Sequence, residues 1–158
     1  MKTVQPYLNF AGNTEEAFRF YCSVFDTEIQ ALIRFRDMGG KEMGVPEEDL
    51  DKIMHIALPL GKEHMLMATD TLESLGQNLI VGNNTSIMLG VETEEEAHRL
   101  FDGLAGGGTP QMPLQRVEWA EAFGMCTDKY GVQWLISYQG DVEFVPPPVQ
   151  EARADVGS

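Results

Sequence analysis

Apolar residues recur along this chain in two rhythms. In YLNF (7–10), EIQALIRF (28–35), KIMHIALPL (52–60) and HMLMAT (64–69) they favour the two-residue period of a strand. Between Thr14 and Phe25 they fall at Ala17, Tyr21, Val24 and Phe25, the stripe of an amphipathic helix. Gly61-Lys62-Glu63 joins the last two strands. The second half repeats this order. SIMLGV (86–91) predicts a strand, and Ala97, Leu100, Phe101 and Leu104 mark a helical stripe. A less regular PLQRVEW (113–119), AFGMCT (122–127) and VQWLISY (132–138) follow as strands, the last two joined by the polar turn Asp128-Lys129-Tyr130-Gly131. The predicted element order is βαβββ, twice.

The two helices also match in sequence. TEEAFRFY (14–21) and EEEAHRLF (94–101) share Glu-Glu-Ala, an Arg two positions later and a terminal aromatic. Each starts at a polar cap, Asn13 with Glu16 three residues on and Thr93 with Glu96, which predicts two capping boxes. Their early glutamates suit the positive end of a helix dipole. Residues 37–51, with three glycines, a proline and a run of acids, predict a mobile excursion, and 70–85 predict the link between halves. AGGGT (105–109) follows a helix and so predicts a C-cap and turn, not a phosphate cradle. Beyond Gly140, VPPPVQEARADVGS predicts an extension outside the core.

Composition narrows the function classes. The 158 residues carry a formal net charge of -14, which repels nucleic-acid phosphates and anionic membrane surfaces. No apolar run approaches the ~20 residues needed to span a bilayer, and the first residues lack the apolar core of a secretory signal. A cytoplasmic protein is expected. Cys22 and Cys126 lie far apart without metal-type spacing and read as reduced core thiols.

PYLNFAGNTEEAFRFY, the central IMHIALPLG and EWAEAFGMCTDKYGVQWLI resemble the PhnB-like branch of the vicinal oxygen chelate superfamily. That superfamily includes glyoxalase I, bleomycin-resistance proteins and extradiol dioxygenases, and the branch is often labelled a 3-demethylubiquinone 3-methyltransferase family. The resemblance covers about residues 4 to 139. It implies an α+β fold of tandem βαβββ modules, with curled mixed sheets forming a cup and helices outside. Residues 1–140 would make one glyoxalase-like domain of two modules (4–70 and 84–139), and 141–158 a Pro-rich C-terminal extension. It also implies a homodimer.

Enzymes of that superfamily usually hold one divalent metal, on a His at the start of each module's first strand and a Glu near the end of its last. Carried onto this chain, those positions fall at Gln5, at Met65 or Met67, at Ser86 and at Leu135. These are poor ligands for hard divalent ions, which want carboxylates and imidazoles. Neither metal nor other cofactor is expected.

Alternation places Met54, Ile56, Leu58 and Leu60 of IMHIALPL on one face, and His55 and Ala57 on the other. If the fuller apolar face meets the helices, His55 points into the cup, where its near-neutral pKa type suits acid–base work. By the same parity Leu8 and Phe10 face the helices, leaving Gln5, Tyr7 and Asn9 in the cup. Trp134 and Ile136 face the helices, leaving Gln133 and Leu135. Trp119 and Phe123 would form an aromatic wall, and Glu118 is the candidate carboxylate beside it. The candidate ligand-binding set is thus Gln5, Tyr7, Asn9, Met65, Met67, Ser86, Trp119, Phe123 and Leu135, with His55 and Glu118 as candidate catalytic groups. His64 reads as a rim residue and His98 as a solvated helix residue.

The function expected is metal-independent binding of a small, partly apolar or aromatic molecule, since a methionine- and aromatic-lined site is adaptable. The alternative is a lyase, isomerase or transferase acting on a small carbonyl or quinone-like compound with His55 as acid–base, with or without a metal in a rearranged site. No glycine-rich nucleotide loop follows a strand, so the methyltransferase label finds no support in the motifs.

Overall fold

The two rhythms fold into ten regular elements. The computed structural model describes residues 1–150. Strand β1 (Tyr7–Phe10) leads to helix α1 (Thr14–Phe25), then to β2 (Ala31–Arg34), β3 (Ile53–Leu60) and β4 (His64–Asp70). The second half runs β5 (Ile87–Gly90), α2 (Glu94–Ala105), β6 (Thr109–Val117), β7 (Ala120–Thr127) and β8 (Gln133–Tyr138). Each half closes its own mixed sheet, in the orders β1-β4-β3-β2 and β5-β8-β7-β6. In both, the first strand runs parallel to the last and the remaining pairs are antiparallel. The fold is α+β, two unclosed mixed sheets with two helices.

Both helices bury the faces expected of them. α1 buries Ala17, Phe18, Tyr21 and Val24, and α2 buries Ala97, Leu100, Phe101 and Leu104. They also pack on each other. A Cβ at Gly103 of α2 would lie 3.1 Å from Cγ1 of Val24, so the missing side chain lets the helices approach. One apolar cluster therefore runs through both halves, from Phe10, Ile56, Leu58, Leu66 and Ala68 of the first sheet to Ala122, Trp134 and Ile136 of the second. Each sheet turns one face to this cluster and leaves its other face open.

The polar ties of this core come from Asp128 and, at the end of β4, Asp70, both buried. Asp128 accepts from the Tyr21 hydroxyl at 2.6 Å, the Trp134 indole at 2.9 Å, and the amides of Tyr130 and Val132 at 2.8 and 3.0 Å. It thereby shapes the predicted turn and pins α1 to β8. Burial, and next the Asp128 charge, drive the Tyr21 phenol far above its ordinary pKa. Cys22 and Cys126 are free thiols, and burial pushes Cys126 up to about 11.

Four expectations need correction, and one loop holds more structure than its composition announces. Thr93 caps α2 through Glu96 N at 3.1 Å, but Asn13 makes no side-chain cap on α1. Asp70 takes that role from the end of β4, accepting from Gly12 N, Thr14 N and Thr14 Oγ1 at 3.0, 3.1 and 2.6 Å. In β3, Ile53 occupies the core face in place of Met54. The register with β2 slips between Ile33 and Arg34, and this bulge shifts the alternation at the strand's start. Residues 37–51 form an excursion with turns and a small apolar cluster of their own. Two 3-10 turns, Phe35–Met38 and Glu47–Asp49, bring Val45 and Leu50 onto Leu72 beneath Phe35. β6 starts at Thr109, not at 113, because the Gly106–Gly108 turn sets Thr109 directly opposite Thr127. β2 is confined to Ala31–Arg34 of the expected 28–35, since the chain passes at once into the 3-10 turn at Phe35.

Candidate functional site

The open faces carry the candidate residues. On the first sheet, Leu66 and Ala68 are buried in the core, so Met65 and Met67 of β4 point the other way and are half-buried. Tyr7 stands beside Met67 in the β1–β4 register and remains 46% exposed. Its hydroxyl lies 3.0 Å from Nδ1 of His55, with ring centroids 5.8 Å apart. Burial raises the Tyr7 phenol, which keeps it protonated and able to donate. If it donates, Nδ1 is the acceptor and Nε2–H is left to donate to a ligand. If Nδ1–H donates to the phenol, Nε2 is left as an acceptor and base. Either tautomer offers one polar handle on a largely apolar face.

Gln5 does not reach this handle. Its Oε1 accepts from Met65 N at 2.8 Å, so it extends the strand edge. Asn9 is exposed on β1 opposite Thr69.

The second open face is more apolar. Ala120, Ala122, Gly124 and Cys126 are buried, which leaves Phe123 and Met125 of β7 on the far side. Register places Met88, Leu135 and Met125 in one row across β5, β8 and β7. Trp119, in the β6–β7 turn, meets Phe123 edge-on at 5.4 Å and is itself 44% exposed. Glu118 is exposed in the same turn, on the other sheet from His55, so Tyr7 and not Glu118 is the partner of His55. Ser86 is exposed just before β5, near the point where the Gln133 amide donates to Thr85 O at 2.7 Å. A cleft of about 630 Å³ runs between the β3–β4 turn and β5, and Met65 and Met88 from the two open faces both line it, with His64 and Arg99. His98 is an exposed helix residue 3.8 Å from Glu94.

The structure thus brings together Tyr7 with His55, Gln5 with Met65, and Trp119 with Phe123. It adds Met88, Met125 and Phe144, which sequence reasoning did not select. Alternation along SIMLGV and AFGMCT could have found both methionines. Phe144, in the extension, has no periodic signal.

The metal positions implied by the resemblance hold an amide already engaged with Met65 N, a thioether, a hydroxyl and an alkyl chain. Among the described residues no three His, Cys, Asp or Glu side chains converge. This donor set does not fit a hard divalent cation.

Comparison with known proteins agrees with this fold. The family model described as 3-demethylubiquinone-9 3-methyltransferase matches residues 2–137. Protein PA1353 from Pseudomonas aeruginosa is 37% identical, with a TM-score of 0.77 over 88% of this chain and 98% of that one. The PhnB protein from Bacillus cereus is 29% identical, with a TM-score of 0.68 over 87% and 99%. Protein YjdN of Escherichia coli is 27% identical over 85% of this chain and 93% of its own. Solved structures below 25% identity share the glyoxalase/bleomycin-resistance/dioxygenase fold. The chain belongs to this PhnB-like family.

Proposed function

We propose that this member of the PhnB-like family binds a small, partly aromatic molecule on its open sheet faces, without a metal ion, as a cytoplasmic homodimer. The observation that carries the reading is the Met88–Leu135–Met125 row with the Trp119–Phe123 pair beside it. An apolar, polarisable floor with an aromatic wall suits a planar apolar ligand. It stands where the resemblance would put a chelating carboxylate. The Tyr7–His55 pair on the other face supplies an orienting hydrogen bond.

A second copy is part of the proposal because, among the described residues, nothing stands opposite either face beyond the cleft that Met65 and Met88 line. Both helices lie on the core side, and β1 and β5 each leave one edge unpaired. Exposed Tyr7, Met88 and Trp119 on those faces support closure by another copy. The family's methyltransferase description is not adopted. The glycines of AGGGT lie after α2, not between a strand and a helix N-terminus, and calorimetry with S-adenosylmethionine should show no heat of binding.

The test is a titration with a planar aromatic probe, followed by emission of exposed Trp119, before and after dialysis against a chelator. Binding should persist unchanged. A protein that retains stoichiometric metal, and loses binding when stripped of it, would contradict the reading. A second reading, proton transfer by His55 on a small carbonyl compound, is favoured by the Tyr7 hydrogen bond alone. Any turnover found by screening that survives His55→Ala would remove it.

A further inference from the structure

The chain beyond β8 lies past the family match and does not leave the site. A built turn brings it back. Gly140 takes φ +63°, a conformation that favours glycine. Gln139 O accepts from Glu121 N and Val142 N, both at 3.3 Å, and the Gln139 amide donates to Val142 O at 3.1 Å. Asp141 N donates to Glu121 Oε1 at 3.3 Å, tying the turn to β7.

The outcome is that Phe144 sits on Trp119. Their ring centroids are 6.4 Å apart at 60°, and Trp119 meets Phe123 in turn at 5.4 Å and 75°. Three rings therefore step from the open face of β7 to the extension. Phe144 is 41% exposed and Trp119 44%, so the contact holds the rings in place without covering them.

The surroundings are acidic. Glu118 and Glu121 flank Trp119 in sequence, and Asp141 and Glu143 flank the returning turn. Arg116 is the one basic residue in this stretch of β6 and β7. Lys129, at the far end of β7, lies 4.5 Å over the Phe20 ring. Aromatic faces are negative, and carboxylates around them favour a cation over an anion of the same shape.

We propose that Phe144, Trp119 and Phe123 form an aromatic corner that takes a planar, positively charged ring, with Phe144 as the wall that sets selectivity. This rests on the small-molecule reading above and names its ligand class. The ring lies against Trp119 and Phe144 while the carboxylates neutralise its charge.

The experiment compares two planar three-ring probes, cationic 9-aminoacridine and anionic 9-anthracenecarboxylate, on the full chain and on Phe144→Ala and Phe144→Leu. The wild type should bind the cation about tenfold more tightly than the anion. Both variants should lose about five- to tenfold for the cation, with unchanged melting temperature because Phe144 lies outside the core. Full affinity in Phe144→Leu would show that bulk and not the aromatic ring matters, and would overturn the proposal. So would unchanged binding in Phe144→Ala, or a preference for the anion, although the small-molecule reading would then stand. If neither probe binds the wild type, both fall.

Discussion

At the scale of single residues, two carboxylates do more than their sequence context announces. Asp128 reads as the first residue of a polar turn, which it is, yet the structure also places it at 3% exposure beneath Tyr21 and Trp134. Nothing local to DKYG reveals partners that lie on a helix 107 positions away. Asp128→Ala leaves a buried hydroxyl and a buried indole N–H unpaired, so urea unfolding should show a loss of about 3 kcal/mol. Tyr21→Phe removes one donor and leaves Asp128 its other three, and should cost clearly less. Asp49 is the second case. Hydrogen bonds from Lys52 and then Ser74 hold its carboxyl below the ordinary range. A carboxylate whose pKa is lower in the folded state stabilises that state above its unfolded pKa and loses the effect as pH falls through the folded one. Protection factors of the amides in residues 40–50 should therefore be high at neutral pH and fall below about pH 4, and Asp49→Asn should show the low protection already at pH 7.

At the scale of elements, periodicity carried most of the information. The core stripe of α2 is fully legible, because Ala97, Leu100, Phe101 and Leu104 recur at helical spacing and nothing else competes for that face. The open-face residues of β4, β7 and β8 follow from simple alternation in the same way. Alternation fails at the start of β3, where the bulge exchanges Met54 for Ile53, since a register slip depends on the partner strand. The cap of α1 fails for a related reason: Asn13 has the right chemistry, but a distant carboxylate reaches the same amides. Asp70 also accepts from Ile53 N at 2.8 Å, so it joins α1, β3 and β4. Asp70→Ala should lower the unfolding free energy by about 2–3 kcal/mol, whereas Asn13→Ala should change it by less than about 0.5 kcal/mol. Equal losses would restore Asn13 as the cap.

At the scale of the whole molecule, the repeat explains why the site is spread over two faces. Each βαβββ unit buries one sheet face under its helix, and the two helices also pack on each other where Val24 meets Gly103. That arrangement was not legible in the sequence, which gives the period of each element but not which way two modules turn. The same gap hid Phe144, whose place depends on a turn built from backbone and Glu121. The part of the expected extension at 151–158 lies outside the described residues. If a second copy closes the open faces, the chain should sediment near twice its 17.6 kDa, and a charged substitution in the apolar row, Met88→Glu, should shift it toward the monomer. A wild-type monomer that still binds the probe would leave binding intact and remove the need for a partner.

The central claim is that an apolar, aromatic face has replaced a metal centre, and one measurement meets it directly. Chelator-dialysed protein, checked for residual metal by mass spectrometry, is titrated with acridone, an uncharged planar three-ring probe, beside an untreated sample and a Leu135→Glu variant. The expected result is the same dissociation constant in both wild-type samples with no stoichiometric metal in either. Leu135→Glu should bind more weakly by about tenfold, since it buries a carboxylate in the methionine row. Binding that vanishes with the metal and returns on its addition would contradict the account.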